Sequence, residues 1–327
     1  MNKLIKVQSA LPDDLMRIEI FPGDTCNYKC RYCLPVFHEG TAPWPDLDTF
    51  TDRLSHVMDY YMKHGKKRFQ FQIIGGEPTL WRDCGEFAKF FKDRYDVTIV
   101  MASNGSRTLR WWQEYGKQFD HIIMSCHHER MDVNHTIQVC DSLYENDVWV
   151  NAMVLMDSLY WDKCVGIIES LKNSKHTWSI SSSQVIHDTV KYTPEQLEFL
   201  KSNNKRLPDA RYYYEVKKTL NEDPTVYFDD GSSKTVSHNW LDLNGYNNYY
   251  GWECNIGVDS IYIDKFGNIR GACNQVLFNR NTHYNLFDSD FKEKFNPNLE
   301  PSICTQTSCV CFPEQRLNKR IIPVIPL

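Results

Sequence analysis

Apolar positions alternate with polar ones in a series of short runs, and between those runs they recur every third or fourth residue. The short runs predict strands at 16–21, 69–74, 97–102, 121–125, 148–155 and 177–186. The intervening stretches are amphipathic: Phe50, Leu54, Val57, Met58 and Tyr61 fall on one side of a helix. Thr193-Pro194-Glu195-Gln196 reads as a capping box with proline in the first helical turn, so another helix starts there. Six strands, each followed by a helix, predict an α/β fold with a parallel sheet whose functional loops lie at the C-terminal ends of its strands.

The periodicity breaks near Asn203. Residues 211–252 are rich in aromatic side chains, among them Tyr212, Tyr213, Tyr214, Trp240, Tyr249 and Trp252. Asp229-Asp230-Gly231, between Val226-Tyr227-Phe228 and Lys234-Thr235-Val236, signals a hairpin. A second hairpin is expected where Lys265-Phe266-Gly267 separates Ser260–Asp264 from Asn268–Arg270. The aromatic stretch reads as packing that bridges into a second module. The segment 321–327 is short enough to be only a docking strand or a frayed end.

Composition narrows the function classes. A chain of 327 residues with 42% hydrophobic content can bury one large core, or a core with a smaller module attached. The net charge of -5 argues against a surface built to neutralise phosphates, so nucleic acid is not the expected partner. No run reaches the roughly 18 to 20 apolar residues that span a bilayer. The start lacks the apolar core of a signal peptide, so the cytoplasm is the expected location and a membrane is not an expected partner. Twelve cysteines in a reducing compartment do not make a disulfide framework. Cys84, Cys140 and Cys164, isolated in helical patterns, read as small buried hydrophobes.

The clustered cysteines carry the chemistry. Cys26-Asn27-Tyr28-Lys29-Cys30-Arg31-Tyr32-Cys33 presents three thiols spaced x3 then x2, immediately after the first predicted strand. A 4Fe-4S cluster and a closed zinc site each take four ligands, so a compact trio leaves one coordination position open. Gly75-Gly76-Glu77-Pro78 follows the second predicted strand, where glycine lets the backbone approach a ligand closely. The two motifs, with aromatic Tyr32 before the third cysteine, resemble the radical S-adenosylmethionine (radical SAM) superfamily over about residues 16–190.

The resemblance implies a partial (β/α)6 barrel over 14–205. In it Cys26, Cys30 and Cys33 hold three irons, and the fourth iron chelates the methionyl end of S-adenosylmethionine. It implies that Gly75, Gly76 and Glu77, with Pro78 closing the motif, meet the methionyl amino group. Ser103, Asn104 and Ser125 would supply polar contacts, and Asn151 and Val154 would lie near ribose and adenine. One electron then breaks the sulfonium bond, and a 5'-deoxyadenosyl radical abstracts hydrogen from a peptide or a small, sugar-like molecule. A flavodoxin- or ferredoxin-type reductant is implied as partner.

Five cysteines gather late: Cys254, Cys273, Cys304, Cys309 and Cys311. This group resembles a twitch module, the shortened relative of the SPASM domain, over 252–315, joined by a bridge at 206–251 and followed by a tail at 316–327. The resemblance implies one auxiliary iron-sulfur cluster on Cys254, Cys273, Cys309 and Cys311, with Cys304 as competing ligand; structural zinc is the alternative. His121, Cys126, His127, His128, Glu129 and His135 are expected around the end of the fourth strand, where Cys126 is a candidate hydrogen-atom donor. The rival from another class is a non-catalytic iron-sulfur or zinc-binding electron-transfer protein, which gives Gly75–Pro78 no purpose.

Overall fold

The computed structural model describes residues 2–176, 178–185, 190–202, 223–236, 238–271, 284–305, 307–309 and 314–322. It divides into two compact units that interleave along the chain: residues 1–19, 48–70 and 220–327, and residues 20–47 and 71–219. Two of the four crossings between them fall inside strands, β2 (Leu15–Ile20) and β3 (Arg68–Ile73).

In the first unit, β1 (Leu4–Gln8) pairs antiparallel with β8 (Thr225–Phe228) and with β15 (Lys319–Arg320). The full order is β14 (Ser302–Ile303), β10 (Glu253–Cys254), β15, β1, β8 and β9 (Ser233–Thr235). Both expected hairpins form: β8 with β9, and β11 (Ser260–Ile263) with β12 (Asn268–Arg270), where Tyr262 faces Arg270. Strand β13 (Tyr284–Asn285) adds antiparallel to β12. Gly267, at φ +82°, makes the turn that other residues resist. Helix α1 (Leu47–Lys63) buries Phe50, Leu54, Val57, Met58 and Tyr61, the face its spacing predicts. Of the expected tail, Lys319–Arg320 is a docked strand, and 323–327 lie outside the described residues.

In the second unit, β3 is followed across the sheet by β4 (Val97–Ser103), β5 (His121–Cys126), β6 (Trp149–Met156) and β7 (Ser179–Gln184). The pairs β4–β5, β5–β6 and β6–β7 are parallel, as the strand–helix alternation predicts. Helix α2 (Cys84–Lys92) packs on β4, and α4 (Val133–Glu145) and α5 (Trp161–Leu171) pack on β6, with α3 (Leu109–Tyr115) against α4. Cys84, Cys140 and Cys164 are buried in α2, α4 and α5, as small hydrophobes are expected to be. Helix α6 (Pro194–Ser202) starts at the expected capping box: the Gln196 N–H donates to Thr193 Oγ1 (3.3 Å), and the Thr193 N–H donates to Gln196 Oε1 (3.0 Å).

A parallel sheet covered on both faces has continuous apolar strands, but β5 and β6 alternate between buried and half-buried positions. One face, with Ile122, Met124, Cys126, Val150, Ala152, Val154 and Met156, is sealed. The other carries Ala102, Ile123, Ser125, Asn151, Met153, Leu155, Ser181 and Ser183 at half-buried positions in matching registers. One half-open face of mixed polarity, opposite a sealed apolar one, fits a partial barrel with helices outside.

Candidate functional site

The segment after β2 is closed on itself by a buried carboxylate. Asp24 accepts from the Thr41 N–H (3.1 Å), the Thr41 hydroxyl (2.6 Å) and the Ala42 N–H (3.0 Å). The enclosed loop carries all three cysteines. Inside it the Tyr28 N–H points at Cys26 Sγ (3.4 Å), and the Cys33 N–H closes a turn on the Cys30 carbonyl (3.0 Å). Lys29 sits at φ +48°, a conformation an L side chain adopts reluctantly, and it reverses the chain between the first two cysteines.

Gly75-Gly76-Glu77 lies directly against that loop. The Gly76 N–H donates to the Gly23 carbonyl (3.0 Å) and the Glu77 N–H to the Thr25 carbonyl (2.8 Å). A Cβ on Gly76 would stand 2.3 Å from the Thr25 carbonyl oxygen, and one on Gly75, at φ +129°, would enter the Phe21 ring. The glycines therefore serve the approach of one backbone to another, where the motif by itself suggests only the approach of a ligand. The buried Glu77 carboxylate accepts from Ser103 Oγ (2.7 Å), the Asn104 N–H (2.7 Å) and the Thr79 N–H (3.1 Å). Burial pushes its pKa up against the pull of those donors.

A cavity of about 180 Å³ opens between these loops. Its lining includes Cys26, Cys30, Cys33, Gly75, Gly76, Glu77, Ser103, Asn104 and Ser125, nine of the residues the sequence singles out. Tyr28, Lys29, Phe37, His38, Ala102 and His127 complete the wall. Pro35 at the start of a short 3-10 turn, Pro35–Phe37, is the local signal for Phe37 and His38. Asn104 Nδ2 reaches Cys26 Sγ at 3.8 Å. Burial pushes the Cys30 thiol up to about 12 and Cys33 to about 11, so without a cation both stay protonated.

Four sequence expectations are corrected. Cys126 is buried on the sealed sheet face and its thiol turns to the Met124 carbonyl (3.5 Å), because strand alternation gives the cavity side to Ser125. Val154 shares that sealed face. His121 begins β5 rather than ending it and stacks on Trp149 at 3.9 Å. Pro78 is buried at the start of the turn Pro78–Leu80 and does not line the cavity. Asn151 lies on the open face but accepts from Ser179 Oγ (3.2 Å), and Tyr32 stands behind the wall with its hydroxyl 3.0 Å from His127 Nδ1. His135 Nε2 serves the Gly105 and Arg107 carbonyls, an ordinary loop tie.

Of the late cysteines, Cys254, Cys304 and Cys309 lie in the first unit, as does buried Tyr249, whose pKa burial raises first and these thiols raise further. Cys304 and Cys309 share its apolar cluster, and Cys254 ends β10 opposite Ser302. Cys273 and Cys311 lie outside the described residues, as does 206–222 of the expected bridge.

The donor set can be tested against what it is expected to hold. Zinc bound at about 2.3 Å by tetrahedral thiolates would bring their sulfurs to about 3.8 Å of one another. Among the described residues, neither cysteine trio has all its sulfurs within 4.8 Å, whereas His128, Glu129 and Asp157 do come that close. A larger inorganic core fits wider-set thiols. The cavity is also smaller than the roughly 300 to 1,000 Å³ of a site that swallows a whole organic ligand, which suits a compact metal group with one end of a second molecule.

Residues 20–171 match the family model described as the Radical SAM superfamily. That stretch, just under half of the chain, carries a radical SAM domain, and the cofactors of that superfamily are a 4Fe-4S cluster and S-adenosylmethionine. The GTP 3',8-cyclase of Pectobacterium atrosepticum is 27% identical over 97 residues, which cover 28% of this chain and 29% of that one. The GTP 3',8-cyclase of Vibrio cholerae serotype O1 (strain ATCC 39541 / Classical Ogawa 395 / O395) is 29% identical over 97 residues, 28% of each chain. The aligned stretch thus spans under a third of the length of these relatives. Among solved structures, a tagged form of anSMEcpe with bound AdoMet is similar over 80% of this chain and 72% of that one, at 14% identity and a TM-score of 0.47. Among the described residues, no helix is long and apolar enough to cross a membrane.

Proposed function

We propose that Cys26, Cys30 and Cys33 hold the site-differentiated 4Fe-4S cluster and that the Gly75-Gly76 main chain, Ser103, Asn104 and Ser125 receive S-adenosylmethionine beside it. The observation that carries this reading is the convergence of these residues on one cavity from four successive strand ends. When bound, the cluster supplies the electron that splits the sulfonium C–S bond and yields a 5'-deoxyadenosyl radical. The chain's own residues then have three tasks. The Cys30 and Cys33 thiols must lose protons that burial makes them keep, which a bound cation offsets. Glu77 locks the loops after β3 and β4 together and so fixes two walls of the cavity. The half-open sheet face offers the uncharged hydrogen-bonding groups of Asn151, Ser181 and Ser183 interleaved with apolar Ile123, Met153 and Leu155.

That uncharged face of mixed polarity supports a neutral substrate such as a sugar-like small molecule or a peptide, oxidised, epimerised or matured after hydrogen abstraction. The names of the relatives add GTP to the candidates. Residues 252–315 are proposed to form a twitch-like module with an auxiliary cluster, on the observation that Cys304 and Cys309 share one apolar cluster with Tyr249. The buried, reduced cysteines suit the cytoplasm, and a flavodoxin- or ferredoxin-type protein would supply electrons.

The test is anaerobic reconstitution followed by reduction with S-adenosylmethionine present. Release of 5'-deoxyadenosine by the parent, lost on serine substitution at Cys26, Cys30 or Cys33, is expected; unchanged release in those variants rejects the assignment. Deuterated candidate substrates, scored by label in 5'-deoxyadenosine, then choose among sugar, peptide and GTP.

A further inference from the structure

The turn between the second and third cysteines is gripped from outside by two acidic residues that no part of the cavity uses. Glu129, in the turn after β5, accepts from the Arg31 main-chain N–H through Oε1 at 3.2 Å and Oε2 at 3.4 Å, and it stands 3.9 Å from Arg31 Nε. Asp157, fully buried just after β6, forms an ion pair with the Arg31 guanidinium. The other Asp157 oxygen accepts from the Leu159 N–H (3.0 Å), starting the 3-10 turn Ser158–Tyr160. The guanidinium lies 5.5 Å over the Tyr160 ring.

His128, Glu129 and Asp157 come within 4.8 Å of one another, the spacing of a cation site. The cation there is the guanidinium. His128, buried with neither ring nitrogen hydrogen-bonded, stays 3.7 Å from Asp157 Oδ2 and leaves that oxygen to Arg31. We infer that Arg31, Glu129 and Asp157 form an electrostatic clamp that fixes the Cys30–Cys33 turn to the loops after β5 and β6 and sets the charge beside the metal group those thiols hold.

The second half of this inference rests on the proposed cluster; the first half does not. All three are positioning residues. Asp157 is fully buried while the guanidinium is a third exposed, so removing the guanidinium leaves the buried carboxylate without its counter-charge. Its net charge is -1 with both carboxylates present, 0 when either is neutralised and -2 when the guanidinium is removed.

The experiment has two arms. In metal-free protein, hydrogen exchange is followed over residues 26–33 in Arg31→Met, Asp157→Asn and their double variant; Asp157→Asn retains an oxygen for the Leu159 N–H. Exchange about tenfold faster in each single variant, and no faster in the double, is expected for one shared interaction. Unchanged exchange, or full additivity, overturns the clamp whether or not a cluster binds. In reconstituted protein, the cluster midpoint potential is titrated with paramagnetic resonance. It should rise in Glu129→Gln and Asp157→Asn, which remove negative charge, and fall in Arg31→Met. Shifts of the same sign in all three would indicate loosening alone and overturn the charge-setting role. A parent protein that assembles no cluster rejects the proposed function and leaves the first arm to judge the clamp.

Discussion

Gly76 and Thr25 lie so close that their backbones touch: a methyl group on Gly76 would stand 2.3 Å from the Thr25 carbonyl oxygen. Neither partner is a flexible side chain that could swing away. Gly76→Ala is therefore expected to destabilise by about 3 kcal/mol through overpacking against fixed backbone. Urea unfolding of the metal-free protein measures it. A loss under about 0.5 kcal/mol, the range of a neutral surface change, would show that the loop yields and that the contact does not define the cavity.

Glu77 ties two strand-end loops through donors that have no water to turn to. Glu77→Ala leaves the Ser103 hydroxyl and the Asn104 N–H without their acceptor, at a cost of about 3 kcal/mol. Glu77→Gln keeps one acceptor oxygen and should lose less. Equal stability of the two variants in thermal or urea unfolding would contradict this assignment.

Cys126 faces the helices, so it has no path to a substrate radical. Cys126→Ala should cost about 1 kcal/mol of stability from the small void and leave 5'-deoxyadenosine release and substrate turnover within about twofold of the parent. A product that loses its solvent-derived or transferred hydrogen in this variant would restore Cys126 to the chemistry.

His127, in the cavity wall, has its pKa pushed down to about 4, first by burial and then by neighbouring His128. In the unfolded chain a histidine takes its proton near pH 6.5. The unfolded state therefore binds more protons between those values, and stability falls as pH drops from about 6.5 toward 4. The loss attributable to this ring is at most about 3 kcal/mol, since it is half-buried rather than sealed. His127→Gln should flatten that portion of the stability-pH curve of the metal-free protein; a curve of unchanged slope would mean another group carries it.

Much of this was legible from local pattern. The six strands, the buried stripe of α1, the two hairpins and the capping box at Thr193 all follow from periods and turn residues within a few positions of one another. Cys26, Cys30 and Cys33 and Gly75–Glu77 stand out for the same reason, since each motif is a short spacing. Cys126 and Val154 fall on the other side from the one expected because alternation names two faces without saying which is covered, and only the helices on β6 settle that.

Local sequence thus determined which segments are strands or helices and which thiols lie together, because hydrogen bonding and side-chain period act over a few residues. Only the tertiary structure decided that Asp24 closes the cysteine loop, that Glu77 holds the β4 loop and that Arg31 is gripped by Glu129 and Asp157, which lie 98 and 126 residues further on. Those contacts depend on which strand ends the parallel sheet places side by side, and no spacing along the chain encodes that adjacency.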